Sequence, residues 1–158
     1  MKENPSATVR SINELVSLDS TVIQIIVDNG VSAPSFSVLN LTRFSKLESL
    51  EIGDHCFTFV DELEMIGMSE LESVEIGMNS FTKKKNSYGN DPNRHFYLKN
   101  CPKLKSLKIG HHSFSDYSVC EIENVDALEV IEMGELNELS ENFEWASLEL
   151  KSILIHNE

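Results

Sequence analysis

Four segments of the chain spell one pattern: LESLEIG from Leu47, LESVEIG from Leu71, LKSLKIG from Leu104 and LEVIEMG from Leu128. Their starts lie 24, 33 and 24 residues apart, and self-similarity at such a period is the mark of stacked repeats. A degenerate copy, Val22-Ile23-Gln24-Ile25-Ile26-Val27, begins 25 residues before the first. The pairs Cys56-Phe57, Ser80-Phe81 and Ser113-Phe114 follow the first three glycines. Alternating segments occupy the remaining space: VLNL at 38–41, ELEM at 62–65, HFYL at 95–98, VCEI at 119–122 and SLEL at 147–150.

Aligned, the copies form columns. Leu47, Leu71, Leu104 and Leu128 make one, Leu50, Val74, Leu107 and Ile131 a second, and Ile52, Ile76, Ile109 and Met133 a third. One coil of this size cannot bury its apolar side alone, so neighbouring coils must stack and share a core. The period of two in the alternating segments predicts a second short strand on an opposite wall. The predicted fold class is therefore a mainly β repeat solenoid of about five coils with parallel strands. The recurrent glycine at 53, 77, 110 and 134 is expected where the strand turns and the missing Cβ relieves the backbone.

A length of 158 residues fits one domain with a real core. With 26 acidic and 13 basic residues the formal charge is −13, which opposes binding to nucleic acid or to anionic membranes. No stretch approaches the roughly 20 apolar residues of a bilayer span, so no membrane insertion is expected. The N-terminus MKENPSATVRS lacks the apolar centre of a secretory leader. That predicts a cytoplasmic location for the chain as it stands, or an extracellular surface had a leader been trimmed. Cys56, Cys101 and Cys120 cannot all pair and show no C-x-x-C spacing, which argues against a disulfide framework or zinc site and for a reducing compartment. Asn40-Leu41-Thr42 is a lone glycosylation sequon.

The L-x-x-L-x-I pattern resembles the strand signature of leucine-rich repeat proteins over residues 22–155, nearly the whole chain. In the commonest form an asparagine after the strand bonds the backbone of its neighbours. That position holds His55, Asn79, His112 and Leu136 here, so an unbroken asparagine ladder is not expected. The shared phenylalanine and second strand resemble the BspA-like microbial and protist branch. The resemblance implies a curved or twisted parallel solenoid used to bind proteins or other ligands.

Ser11 and Glu14 in S-I-N-E have capping-box spacing, and Ile12, Leu15, Val16 and Leu18 can cover the open end of the stack. We expect residues 1–21 to be a short helical cap and 22–158 the solenoid.

Column logic makes Cys101 and Cys120 core residues about 16 Å apart along the strand direction, beyond disulfide reach. Cys56 at a corner is the thiol expected to be most reactive. His55 and His112 share a column two coils apart, about 10 Å, too far for joint metal ligation. There is no G-x-S-x-G elbow, no phosphate loop and no H-E-x-x-H. Neither catalysis, a metal nor a cofactor is predicted.

The outward positions have columns of their own: Ile23, Glu48, Glu72, Lys105 and Glu129, and Ile26, Glu51, Glu75, Lys108 and Glu132. Like charges on adjacent strands repel and an interposed opposite charge relieves them, so Lys105 and Lys108 are expected to compensate their neighbours. Lys103 is expected beside Glu70, and Lys99 beside Glu123. Glu48/Glu72 and Glu51/Glu75 stay uncompensated and suit a basic partner.

The 33-residue spacing places an insertion at 82–94, TKKKNSYGNDPNR, whose composition predicts a loop. Lys83, Lys84, Lys85 and Arg94, with Tyr88 at its tip, are candidates to dock an acidic protein, a phosphate or an anionic glycan; the alternative is a solvated loop. Residues 83–108 hold eight of the 13 basic residues and only Asp91 among the acids, a local +7 that leaves −20 elsewhere.

The leading functional expectation is a non-enzymatic module that recognises a protein partner through the outward strand face and the basic loop. A structural spacer in a longer surface array is the alternative, and an enzyme-associated regulatory domain ranks below both.

Overall fold

The computed structural model describes residues 6–83, 91–134, 142 and 147–151, of which 91–92 and 147–151 are described as backbone. Strands alternate between two sheets along the chain. The first sheet contains β1 (Ser6–Val9), β2 (Gln24–Val27), β4 (Ser49–Ile52), β6 (Ser73–Ile76), β8 (Ser106–Ile109) and β10 (Val130–Met133). The second contains β3 (Val38–Asn40), β5 (Glu62–Ile66), β7 (Asp91–Lys99), β9 (Tyr117–Glu123) and β11 (Ser147–Lys151). Their spatial orders are β1-β2-β4-β6-β8-β10 and β11-β9-β7-β5-β3. Every pairing is parallel. The protein is thus mainly β, with parallel sheets, almost no helix and no closed barrel among the described residues.

The sequence columns are the register. Ile25, Leu50, Val74, Leu107 and Ile131 are successive Cα partners, as are Val27, Ile52, Ile76, Ile109 and Met133. On the second sheet Leu39, Leu63, Phe96, Cys120 and Leu148 align. The strands from β2 to β9 send alternate side chains inward, so both sheets contribute to one buried cluster. A slip of one residue would turn this apolar set to solvent, which is why the pattern fixes the pairing.

The single α-helix among the described residues, α1 (Ile12–Val16), lies where S-I-N-E predicts it. Ser11 Oγ accepts from the Glu14 amide at 3.1 Å, and the Glu14 carboxylate accepts from the Arg10 amide at 2.8 Å. Arg43 donates to the carbonyls of Leu18 and Leu15 at 3.0 and 3.3 Å, closing the helix end. Ahead of the helix, β1 adds a strand to the first sheet, so the segment expected to be only a cap also extends the wall.

The corner after the first sheet has backbone demands that the sequence columns reflect. His55, Asn79 and His112 have φ of 58, 56 and 65°, and Phe57, Phe81 and Phe114 have φ of 54, 56 and 61°. A bulky residue in the left-handed region costs roughly 1–2 kcal/mol. The phenylalanine rings offset part of this by stacking, with centroids 5.3 Å apart for Phe57–Phe81 and 4.7 Å for Phe81–Phe114.

Between those positions runs a hydroxyl ladder in place of an asparagine ladder. The Cys56 amide donates to Ser80 Oγ at 3.0 Å and the Ser80 amide to Ser113 Oγ at 2.9 Å. Ser80 and Ser113 in turn donate to the carbonyls of Gly53 and Gly77 at 2.8 and 2.6 Å. Asn142 continues the role, donating to the carbonyls of Gly110 and Ser113 at 2.6 and 3.1 Å. A buried amide without a partner costs about 1–3 kcal/mol. Ser80→Ala, which strands one amide and one carbonyl, is expected to lose about 2–3 kcal/mol in urea unfolding. Ser80→Cys, which installs the side chain found at position 56, should lose less.

Two expectations need correction. Of the column only Gly134 has positive φ, 63°; Gly53, Gly77 and Gly110 are glycine because the neighbouring turn lies against the space a Cβ would fill. The segment 82–94 is not wholly loop, because β7 begins at Asp91 and is the longest strand of the second sheet.

Candidate functional site

The outer face of the first sheet carries the predicted binding residues. Register pairs Glu51 with Glu75, Glu75 with Lys108, and Lys108 with Glu132. All four side chains are exposed. They line a shallow groove of about 400 Å³ together with Gly53, Gly77 and Gly110. Glu48, Glu72, Lys105 and Glu129 follow the same register one turn earlier, through the backbone bonds Glu72 N to Glu48 O, Lys105 N to Glu72 O and Glu129 N to Lys105 O. Ser49, Ser73 and Ser106 lie between the two charged columns.

Among the described residues Lys105 and Lys108 close no ion pair, whereas Lys103 Nζ contacts Glu70 at 2.9 Å, as its column predicts. The hydrogen bond to Glu70, then its charge, raises the Lys103 pKa, and the same bond lowers that of Glu70. Lys99 reaches Glu123 at 3.6 Å and Glu121 at the shorter distance of 2.7 Å. Its pKa is raised chiefly by the bond to Glu121.

Arg94 is not a surface ligand. It lies on β7 with no exposed surface, because counting back by twos from Leu98 and Phe96 points it inward. Nη2 donates to the carbonyls of Thr58 and Val60 at 2.9 and 3.0 Å. Nη1 lies 3.7 Å from Asp61 and 3.6 Å from Asp116, and the guanidinium stacks 4.9 Å from the Tyr117 ring centroid. Tyr117 Oη donates to the Val60 carbonyl, and burial pushes its pKa up. The Lys83 amide donates to Asp116 at 3.2 Å while Lys83 Nζ is 4.0 Å from Asp61. Arg94 therefore ties the strand leaving the insertion to the turns on either side, and Lys83 joins the same cluster. Lys84, Lys85 and Tyr88 lie outside the described residues.

Cys56 is buried as well, with Sγ 3.1 Å from the Asp28 carbonyl. Burial raises the pKa of Cys56 and Cys101 and pushes that of Cys120 up to about 12. The thiol expected to be most reactive is thus withheld from solvent and from its thiolate form. His55 and His112 occupy left-handed corner positions. Among the described residues no group of three or more His, Cys, Asp or Glu is placed to hold a metal ion, and no helix is long and apolar enough to cross a membrane.

The repeat columns gave no prominence to the outer face of the second sheet. There β5, β7 and β9 present Glu62 and Glu64, His95, Tyr97 and Lys99, and Glu121 and Glu123. Period-two alternation around HFYL was the available signal, since the positions that flank the inward Phe96 and Leu98 must point out.

Comparison of the chain with protein-family models, with curated proteins and with solved structures returned no match.

Proposed function

We propose that the chain is a leucine-rich-repeat solenoid of about five coils that acts as a non-enzymatic recognition module for a protein partner. Alternation of strands between two parallel sheets, with repeat columns in register, supports the solenoid reading; the hydroxyl ladder with Asn142 supports the likeness to asparagine-bonded repeats. The observation that carries the binding reading is the direct pairing of exposed Glu51 with exposed Glu75 beside a glycine-lined groove. Two carboxylates held opposite each other repel in the free protein, and a basic segment of a partner removes that repulsion on binding.

Affinity capture tests this with the wild type, a Lys83/Lys84/Lys85→Ser variant and a Glu51→Lys variant. Loss of specific proteins on Glu51→Lys supports the face, and their loss on the triple variant supports the loop. Recovery of the same proteins by all three contradicts both. The spacer reading draws support from β10, where Val130 and Ile131 are 38% and 42% exposed although Ile131 belongs to a core column. A further coil against β10 would cover them.

A further inference from the structure

The outer face of the second sheet is asymmetric about Tyr97. Register sets Glu62, His95 and Val119 in one row, Glu64, Tyr97 and Glu121 in the next, and Ile66, Lys99 and Glu123 in a third. Tyr97 therefore has a carboxylate on the strand at either side. Its phenol oxygen is 3.0 Å from His95 Nδ1, and the two rings meet edge-on.

Toward β9 the chain supplies its own cation. Lys99 Nζ lies 5.1 Å from the Tyr97 ring centroid and contacts both Glu121 and Glu123. Toward β5 the anions are present without one: neither Glu62 nor Glu64 forms an ion pair with lysine or arginine among the described residues. The next strand, β3, brings only Val38 and Asn40 opposite them. Burial, then a hydrogen bond and repulsion from Glu62, raise the Glu64 pKa. Glu64 thus faces a second carboxylate on its own strand where β9 faces a lysine.

We propose that this face docks an arginine side chain from an extended partner segment, its guanidinium over Tyr97 and its counter-ions Glu62 and Glu64. Arginine fits better than lysine because a planar guanidinium stacks on a ring while donating to two carboxylates. Lys99 demonstrates the same pairing of ring and carboxylates within the chain. The charged groups facing the bound cation are Glu62 and Glu64 of β5, His95 and Lys99 of β7, and Glu121 and Glu123 of β9: four carboxylates against one lysine. This surface is separate from the face of the first sheet and does not depend on it.

Binding should carry a proton signature. The guanidinium favours both carboxylates in ionised form, so it opposes the raised pKa of Glu64. Affinity then rises with pH through the range in which Glu64 ionises, and protons are released there. The probe is the peptide acetyl-Ser-Arg-Ser-Arg-Ser-amide, titrated into ¹⁵N-labelled protein by NMR and by calorimetry in acetate and MES buffers. Expected are shifts at Glu62, Glu64 and Tyr97, and a buffer-dependent heat showing proton release. Glu64→Gln should weaken binding about fivefold, the scale of a part-exposed ion pair, and abolish the proton release, while His95→Asn should keep it. Shifts confined to Glu51 and Glu75 would overturn this proposal and leave the first-sheet reading standing; shifts confined to the second sheet would do the reverse. Absence of shifts on β5 and β7, or proton release that survives Glu64→Gln, would also overturn it.

Discussion

Arg94→Ala is expected to lower the unfolding free energy by about 3–5 kcal/mol, the usual cost of breaking a buried ion pair from one side. The substitution leaves the Thr58 carbonyl without this donor, the Val60 carbonyl with Tyr117 Oη alone, and Asp116, almost wholly buried, without its cation. Asp61 is partly exposed and contributes less, since water can replace the arginine there. A second variant separates charge from packing. Arg94→Met combined with Asp61→Asn and Asp116→Asn removes the whole charged set while filling most of the space. It should recover a large part of the loss, because a buried ion pair and an apolar replacement of similar volume are often close in stability. Urea midpoints of the two variants check this; equal losses would mean that neither stranded charge nor lost volume is the main cost, which would then lie in the hydrogen bonds and ion pairs of Arg94 itself.

Gly110→Ala is expected to be the second severe lesion, about 3 kcal/mol by overpacking. A Cβ there would stand 2.5 Å from Gly77 C and Met78 N and 2.8 Å from Gly77 O, all backbone atoms that cannot rotate away. The two turns must separate, which pulls on the hydroxyl ladder that joins them. Gly67→Ala is the control: its φ is +68° but a Cβ would meet nothing within 4 Å, so it should cost only the left-handed strain of about 1 kcal/mol. A Tm for Gly67→Ala below that of Gly110→Ala would refute close approach as the reason for the column.

The walls were legible because a repeat states each inward position several times. Leu50, Val74 and Leu107 report one another, and the same redundancy located Lys103 beside Glu70. Features present in one copy were not legible in that way. Arg94 sits in a stretch rich in Gly, Asn, Asp and Pro, and that composition masked the parity it shares with Phe96 and Leu98. The glycine column was visible but its cause was not, since close approach and turn geometry leave the same letter. Asn142-Phe143 is a further copy of the pair at Cys56-Phe57, hidden because its distance from Gly134 is longer than in the other coils. Cys56 read as a corner residue, and the corner proved to be lined from outside by the Asp28 turn. The face around Tyr97 depends on cross-strand neighbours from three coils, which only the register brings together.

The claim on which the functional reading rests is that Glu51 and Glu75 repel each other across β4 and β6, with Lys108 beside Glu75 but closing no ion pair among the described residues. A double-mutant cycle in unfolding free energy measures this directly. Glu51→Gln should stabilise the wild type by several tenths of a kcal/mol, and should give no such gain in a Glu75→Gln background or in 1 M salt, where the repulsion is screened. An equal effect of Glu51→Gln in both backgrounds would contradict the account, because the two carboxylates would then not be interacting and the face would hold no repulsion for a basic partner to relieve.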